Sequence, residues 1–120
     1  MNKLISKLVI SFMIILSISA QAQDTIGSMK MNCELPIGNP MKTFCFSYIS
    51  GVMDVLIHYN LTYKGETTYS CFPEGTTPSQ GAAILVNWAN ENPEQHHKLA
   101  VFGITHSLQK AFSCTENEKP

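Results

Sequence analysis

Apolar residues recur along this chain at helical spacing. Met41, Phe44, Cys45, Tyr48, Val52, Val55, Leu56 and Tyr59 follow three-and-four steps, which fit one face of a helix and not the alternation of a strand. Asn39 is a good N-cap and Pro40 suits the first helical position, so the pattern predicts a helix over 39–60. Gly51 on that helix predicts close approach of a second one. Further on, "TPSQ" at 77–80 matches a capping box, with Thr77 as N-cap, Pro78 at N1 and Gln80 at N3. The helix it opens runs to residue 91, with Ile84, Leu85 and Trp88 as apolar anchors. "NPEQ" at 92–95 repeats this grammar. It predicts that Asn92 caps a last helix carrying Leu99, Ala100, Phe102, Gly103, Ile104, Leu108, Ala111 and Phe112, and ending near Cys114.

The stretches between these stripes read differently. Residues 23–38 lack a clear period, although "SMKMNCEL" allows a short helix around Cys33. "NLTYKGETTYS" at 60–70 is polar, contains Gly65 and has no period, so it reads as a long loop whose far end Cys71 fixes. "PEG" at 73–75 then turns the chain. No segment reads as a strand. The expectation is an all-α fold: a small, disulfide-stapled helical bundle of three to five helices.

The amino terminus sets the compartment. Lys3 and Lys7 precede an apolar run from Leu8 to Ile18, and Ala20-Gln21-Ala22 forms an A-x-A cleavage site. Residues 1–22 read as a signal peptide and 23–120 as a single exported domain. The apolar run is short for a membrane span of about 20 residues. All four cysteines, Cys33, Cys45, Cys71 and Cys114, lie in the mature part, and an even count in an exported chain reads as disulfides. Sequence leaves all three pairings open. A loop before Cys71 long enough to double back favours Cys45–Cys71, leaving Cys33–Cys114 to join the ends.

Charge narrows the partners. Without Lys3 and Lys7 the mature chain has six bases against nine acids, a net charge of about −3, and no arginine. Nucleic acid and anionic membrane surfaces are poor partners for such a chain. His58, His96, His97 and His106 lack metal-ligand spacing, and no H-E-x-x-H or C-x-x-C pair occurs. No metal and no cofactor are expected. A free catalytic thiol would need an unpaired cysteine, and no G-x-S-x-G elbow is present. Asp54 reads as a buried polar residue hydrogen-bonded to a neighbouring helix. Trp88, Phe44, Phe46, Tyr48, Phe102 and Phe112 read as core. Tyr59, Tyr63 and Tyr69, which surround Lys64 and Glu66 without apolar periodicity, read as interface material.

The ordered set "CFSYISGVMDVL", "CFPEGTTPSQ" and "WANENPEQHHKLAVFGITHSLQKAFSC" resembles the Rap/Tai immunity proteins of bacterial type VI secretion. The matching positions are Cys45, Tyr48, Ile49, Gly51 and Asp54; then Cys71, Pro73, Gly75, Thr77 and Gln80. Asn92, Pro93 and Glu94 follow, with Ala111, Phe112 and Cys114 at the end. The resemblance covers roughly residues 33–114. It implies a periplasmic, all-helical, often dimeric protein that performs no catalysis. It also implies a partner: a peptidoglycan amidase toxin whose active-site cleft the immunity protein obstructs. Loop length and composition make 59–69 the expected intruding element, with Tyr63, Lys64 and Glu66 at its tip and Tyr59 and Tyr69 at its base. The competing expectation is a small periplasmic acid-stress chaperone, in which histidines and acids titrate as pH falls and expose apolar surface.

Overall fold

The computed structural model describes residues 23–62 and 70–115. Thr25 starts the first helix, α1 (Ile26–Glu34), through a capping box. The Thr25 hydroxyl accepts from the Ser28 N–H at 3.2 Å, and the Ser28 hydroxyl accepts from the Thr25 N–H at 3.0 Å. Asn39 opens α2 (Pro40–Thr62) by accepting the Met41 N–H on its side-chain oxygen at 2.9 Å. This 23-residue helix continues through residues 60–62, which the sequence assigned to a loop. After Gly51 no Gly or Pro occurs until Gly65. α3 (Pro78–Glu91) begins at the expected box, with Gln80 N donating to Thr77 Oγ1 at 3.3 Å and Thr77 N donating to Gln80 Oε1 at 2.8 Å.

The last helix departs from expectation. Pro93–Gln95 forms only a 3-10 turn, and the α-helix, α4 (Ala100–Ala111), begins five residues later. The start of α1 causes the break. The N–H groups of Ile26 and Gly27 have no partner within their own helix. They donate to the carbonyls of Lys98 (2.9 Å) and His96 (3.0 Å), while Ala100 N donates to Asp24 O at 2.7 Å. These bonds hold Thr25 and Leu99 in an isolated antiparallel bridge. Residues 96–99 therefore belong to neither the 3-10 turn nor α4. Asn92 does not cap the following turn; its amide donates to Trp88 O at 2.7 Å and closes α3 instead.

The four described α-helices pack on one another around a core of Met29, Cys33, Cys45, Ile49, Met53, Leu56, Leu85, Ile104 and Leu108. Ile26, Trp88 and Ala89 form a smaller cluster at the α1–α3–α4 junction. The fold is all-α, with no strand among the described residues beyond the Thr25–Leu99 bridge. No described helix is long and apolar enough to cross a membrane. Close helix approach occurs at Gly81 and Gly103, not at Gly51. A Cβ on Gly81 would meet Ile49 Cγ2 at 2.8 Å, whereas Gly51 is exposed with nothing near it among the described residues.

Both disulfides form, but in the third pairing: Cys33–Cys45, with Cα atoms 5.3 Å apart, and Cys71–Cys114, with Cα atoms 4.9 Å apart. The expected Cys45–Cys71 and Cys33–Cys114 pairs are corrected by helix geometry. Cys45 sits in the second turn of α2, beside the end of α1, whereas Cys71 follows the far end of the same long helix. The chain at Cys71 docks on the end of α4. There Cys71 N donates to Phe112 O at 2.7 Å and the Phe72 and Phe112 rings lie 5.2 Å apart. Cys33–Cys45 thus locks the corner between α1 and α2, and Cys71–Cys114 ties the segment before α3 to the chain just after α4.

Candidate functional site

Helix α2 presents two overlapping apolar faces. Cys45, Ile49, Met53 and Leu56 are buried in the core. The stripe read from the sequence is centred roughly 80° away, at 100° per residue. Its outer edge, Val55, is 65% exposed. The edge does not point into empty surroundings. With Val101 and Thr105 of α4, the residues Tyr48, Gly51, Val52 and Val55 line a groove of 340 Å³ between the two helices. None of the residues lining it carries a charge.

The groove continues along α4 past Phe102 and His106. Phe102, expected in the core, is 44% exposed. Its ring stacks on His106, with centroids 5.8 Å apart, and Lys98 Nζ lies 4.9 Å from the Phe102 centroid. His106 also meets Trp88 edge-on at 5.5 Å. The early bridge to α1 explains the exposure of Phe102. It fixes the rotation of α4 so that Ala100, Gly103, Ile104, Ser107 and Leu108 turn inward. The run Ala100-Val101-Phe102-Gly103-Ile104 carried the signal, because five consecutive apolar residues exceed what one buried face can absorb.

The interface residues expected from the sequence are placed in part. Tyr59 is half-buried near the end of α2. Tyr63, Lys64, Glu66 and Tyr69 lie outside the described residues. Beyond them, Ser70 is buried and the disulfide fixes Cys71. A second groove, of 320 Å³, opens beside this point between Met53 and Ile57 of α2 and the turn from Phe72 to Thr76.

The ionisable side chains are dispersed. Asp54 is exposed on α2, not buried as expected. His58 and His97 are exposed, and His96 is half-buried with its Nε2 2.8 Å from Ala89 O. Among the described residues no three His, Cys, Asp or Glu side chains lie close enough to hold a metal ion. Glu94 is held below the usual carboxylate range, chiefly by the hydrogen bond it accepts from the Gln95 side chain at 3.1 Å and by its own backbone N–H. The arrangement offers shape and apolar surface. It suits recognition of another macromolecule.

Comparison with known proteins agrees with that chemistry. The family model of the Rap1a immunity proteins matches residues 28–114, which contain the four described α-helices except the first two residues of α1. No curated protein and no solved structure matches the chain.

Proposed function

The chain belongs to the Rap1a immunity proteins, a membership that implies immunity against a type VI effector, and we propose that it binds and sterically blocks a peptidoglycan amidase in the periplasm. Residues 1–22 are the exported leader in this reading, removed near Ala22. The observation that supports it is the double disulfide lock. Cys33–Cys45 and Cys71–Cys114 stiffen a domain small enough that each cross-link weighs heavily in its stability. A stiff inhibitor loses little entropy when it docks. Cys71 also fixes the carboxyl-terminal end of the 63–69 segment. Tyr59, Tyr63, Lys64, Glu66 and Tyr69 remain the proposed contacts with the amidase.

The reading includes a homodimer built on the α2–α4 groove. Two copies can meet there without burying a charge, because Tyr48, Gly51, Val52, Val55, Val101 and Thr105 carry none. A two-fold pair uses the same patch on both copies.

Co-expression tests the main proposal. Peptidoglycan amidases of type VI systems are directed to the periplasm of a sensitive host, with and without this chain. Protection from lysis by one of them is the expected result, and replacing Tyr63, Lys64 and Glu66 with alanine should weaken that protection while leaving the fold intact. Lysis unchanged across the whole panel would overturn the amidase reading.

A further inference from the structure

The tie that seats α1 against α4 lies beside the leader boundary. Asp24 O accepts the Ala100 N–H at 2.7 Å, and Thr25 both pairs with Leu99 and caps α1 through Ser28. In the exported reading, cleavage after the A-x-A site at 20–22 makes Gln23 the first residue of the mature domain. An aminopeptidase that trimmed residues 23–25 would therefore remove the bridge and the capping box together.

Gln23 differs from the residues that follow it. Asp24 and Thr25 are half-buried, and the chain is fixed from the Asp24 carbonyl onward. Gln23 is exposed, and no described residue forms a hydrogen bond or ion pair with it. After cleavage its new α-amine and its carboxamide are both free to turn. A glutamine in that position carries its own electrophile. The α-amine reaches the side-chain Cδ by closing a γ-lactam that uses no atom of another residue.

We propose that Gln23 becomes a pyroglutamyl residue once the leader is gone, and that this lactam shields the α1–α4 tie from aminopeptidases. The inference rests on the exported reading above, in which residues 1–22 are removed near Ala22. In the step, the lone pair of the neutral α-amine attacks Cδ, so that the N–Cδ bond forms and the Cδ–Nε2 bond breaks. A proton of the amine passes to Nε2, which leaves as ammonia. No oxidant, metal or co-reactant is needed. An α-amine titrates at about 7.7–8.0, so part of it is neutral and nucleophilic at neutral pH. The product offers no amine for an aminopeptidase to bind. It is also uncharged, at the end of α1 where the helix dipole disfavours a positive charge.

The test exports the full chain in a bacterium, releases it from the periplasm by osmotic shock and denatures it at once. Tandem mass spectrometry of the amino-terminal peptide should show a chain that begins at residue 23 and is lighter by one ammonia. The Gln23→Asn variant keeps an amide but is one methylene too short to close the γ-lactam, so it should retain its ammonia and its free amine. Treated while folded with a broad-specificity aminopeptidase, the parent should keep its mass and the variant should lose residue 23. An uncyclised Gln23 in the parent would overturn the modification and leave the leader reading standing. Equal digestion of the two proteins would overturn the shield. A first residue other than Gln23 would overturn the modification together with cleavage at Ala22.

Discussion

The side chain of Ile26 occupies the space that a Cβ on Gly103 would need: its Cγ1 lies 2.6 Å from that position and its Cδ1 2.9 Å. Trp88 Cζ3 closes the same pocket at 3.3 Å. The first turn of α1 is thereby seated in α4 at the point where the hydrogen bonds from Ile26 and Gly27 reach residues 96–98. Gly103→Ala should push Ile26 outward and cost about 1–3 kcal/mol from overpacking. Trp88 fluorescence should shift with it. Gly51→Ala, with no described neighbour within 4 Å, should instead stabilise the helix by up to about 1 kcal/mol. Denaturant unfolding of the two variants checks the opposite signs.

The two disulfides should differ in worth. Chain entropy gives about 4 kcal/mol for Cys71–Cys114, with a sequence separation of 43, and about 3 kcal/mol for Cys33–Cys45, with a separation of 12. Double serine replacement of each pair should therefore lower the urea midpoint in that order. Peptide mapping without reductant should recover Cys33 joined to Cys45.

The α2–α4 groove should govern self-association. Val55→Asp places a charge on a face that holds none. Light scattering should show a dimer for the parent and a monomer for the variant, with unchanged helix content.

Thr77 tests a local device. Its hydroxyl accepts the Gln80 N–H and its own N–H reaches Gln80 Oε1. Thr77→Ala should cost about 1 kcal/mol. Because the residue lies outside the proposed contact at 59–69, affinity for the amidase should not change.

Acid should expose the role of Glu94. Its folded carboxyl is held below the ordinary value by Gln95 first, with smaller help from His96 and Lys98. A lowered folded value means stability that is present above the unfolded glutamate pKa and is lost as pH falls through the folded one. Thermal melts should show Glu94→Gln slightly less stable than the parent at neutral pH, and the difference should vanish on acidification. The side chain is fully exposed, so the effect should be small and should shrink in high salt.

Much of the fold was legible because its signals are local. Thr77, Pro78 and Gln80 spell a cap within four residues, and Asn39 and Pro40 spell another. Thr25 and Ser28 form a third box, but serine replaces the glutamate or glutamine that marks the pattern, so the start of α1 was missed. Residues 92–95 read as a fourth cap and gave only a 3-10 turn, because backbone bonds from α1 reshape the segment that follows. The candidate surface was half legible. The wide stripe on α2 and the run from Ala100 to Ile104 announced too much apolar surface for one core. Neither could say which part would be left outside.

By itself the sequence determined the long helical stretches, the caps that begin α2 and α3 and the even cysteine count, since the helices and caps depend on residues a few positions apart. Only the tertiary structure decided the disulfide partners, the rotation of α2 and α4 about their axes, and the exposure of Val55 and Phe102. Those outcomes depend on contacts between distant residues, such as Ile26 against Gly103 and Gly81 against Ile49. A helix with apolar residues around much of its circumference has several faces it can bury. The neighbour that fits closest selects one of them and leaves the remainder as surface.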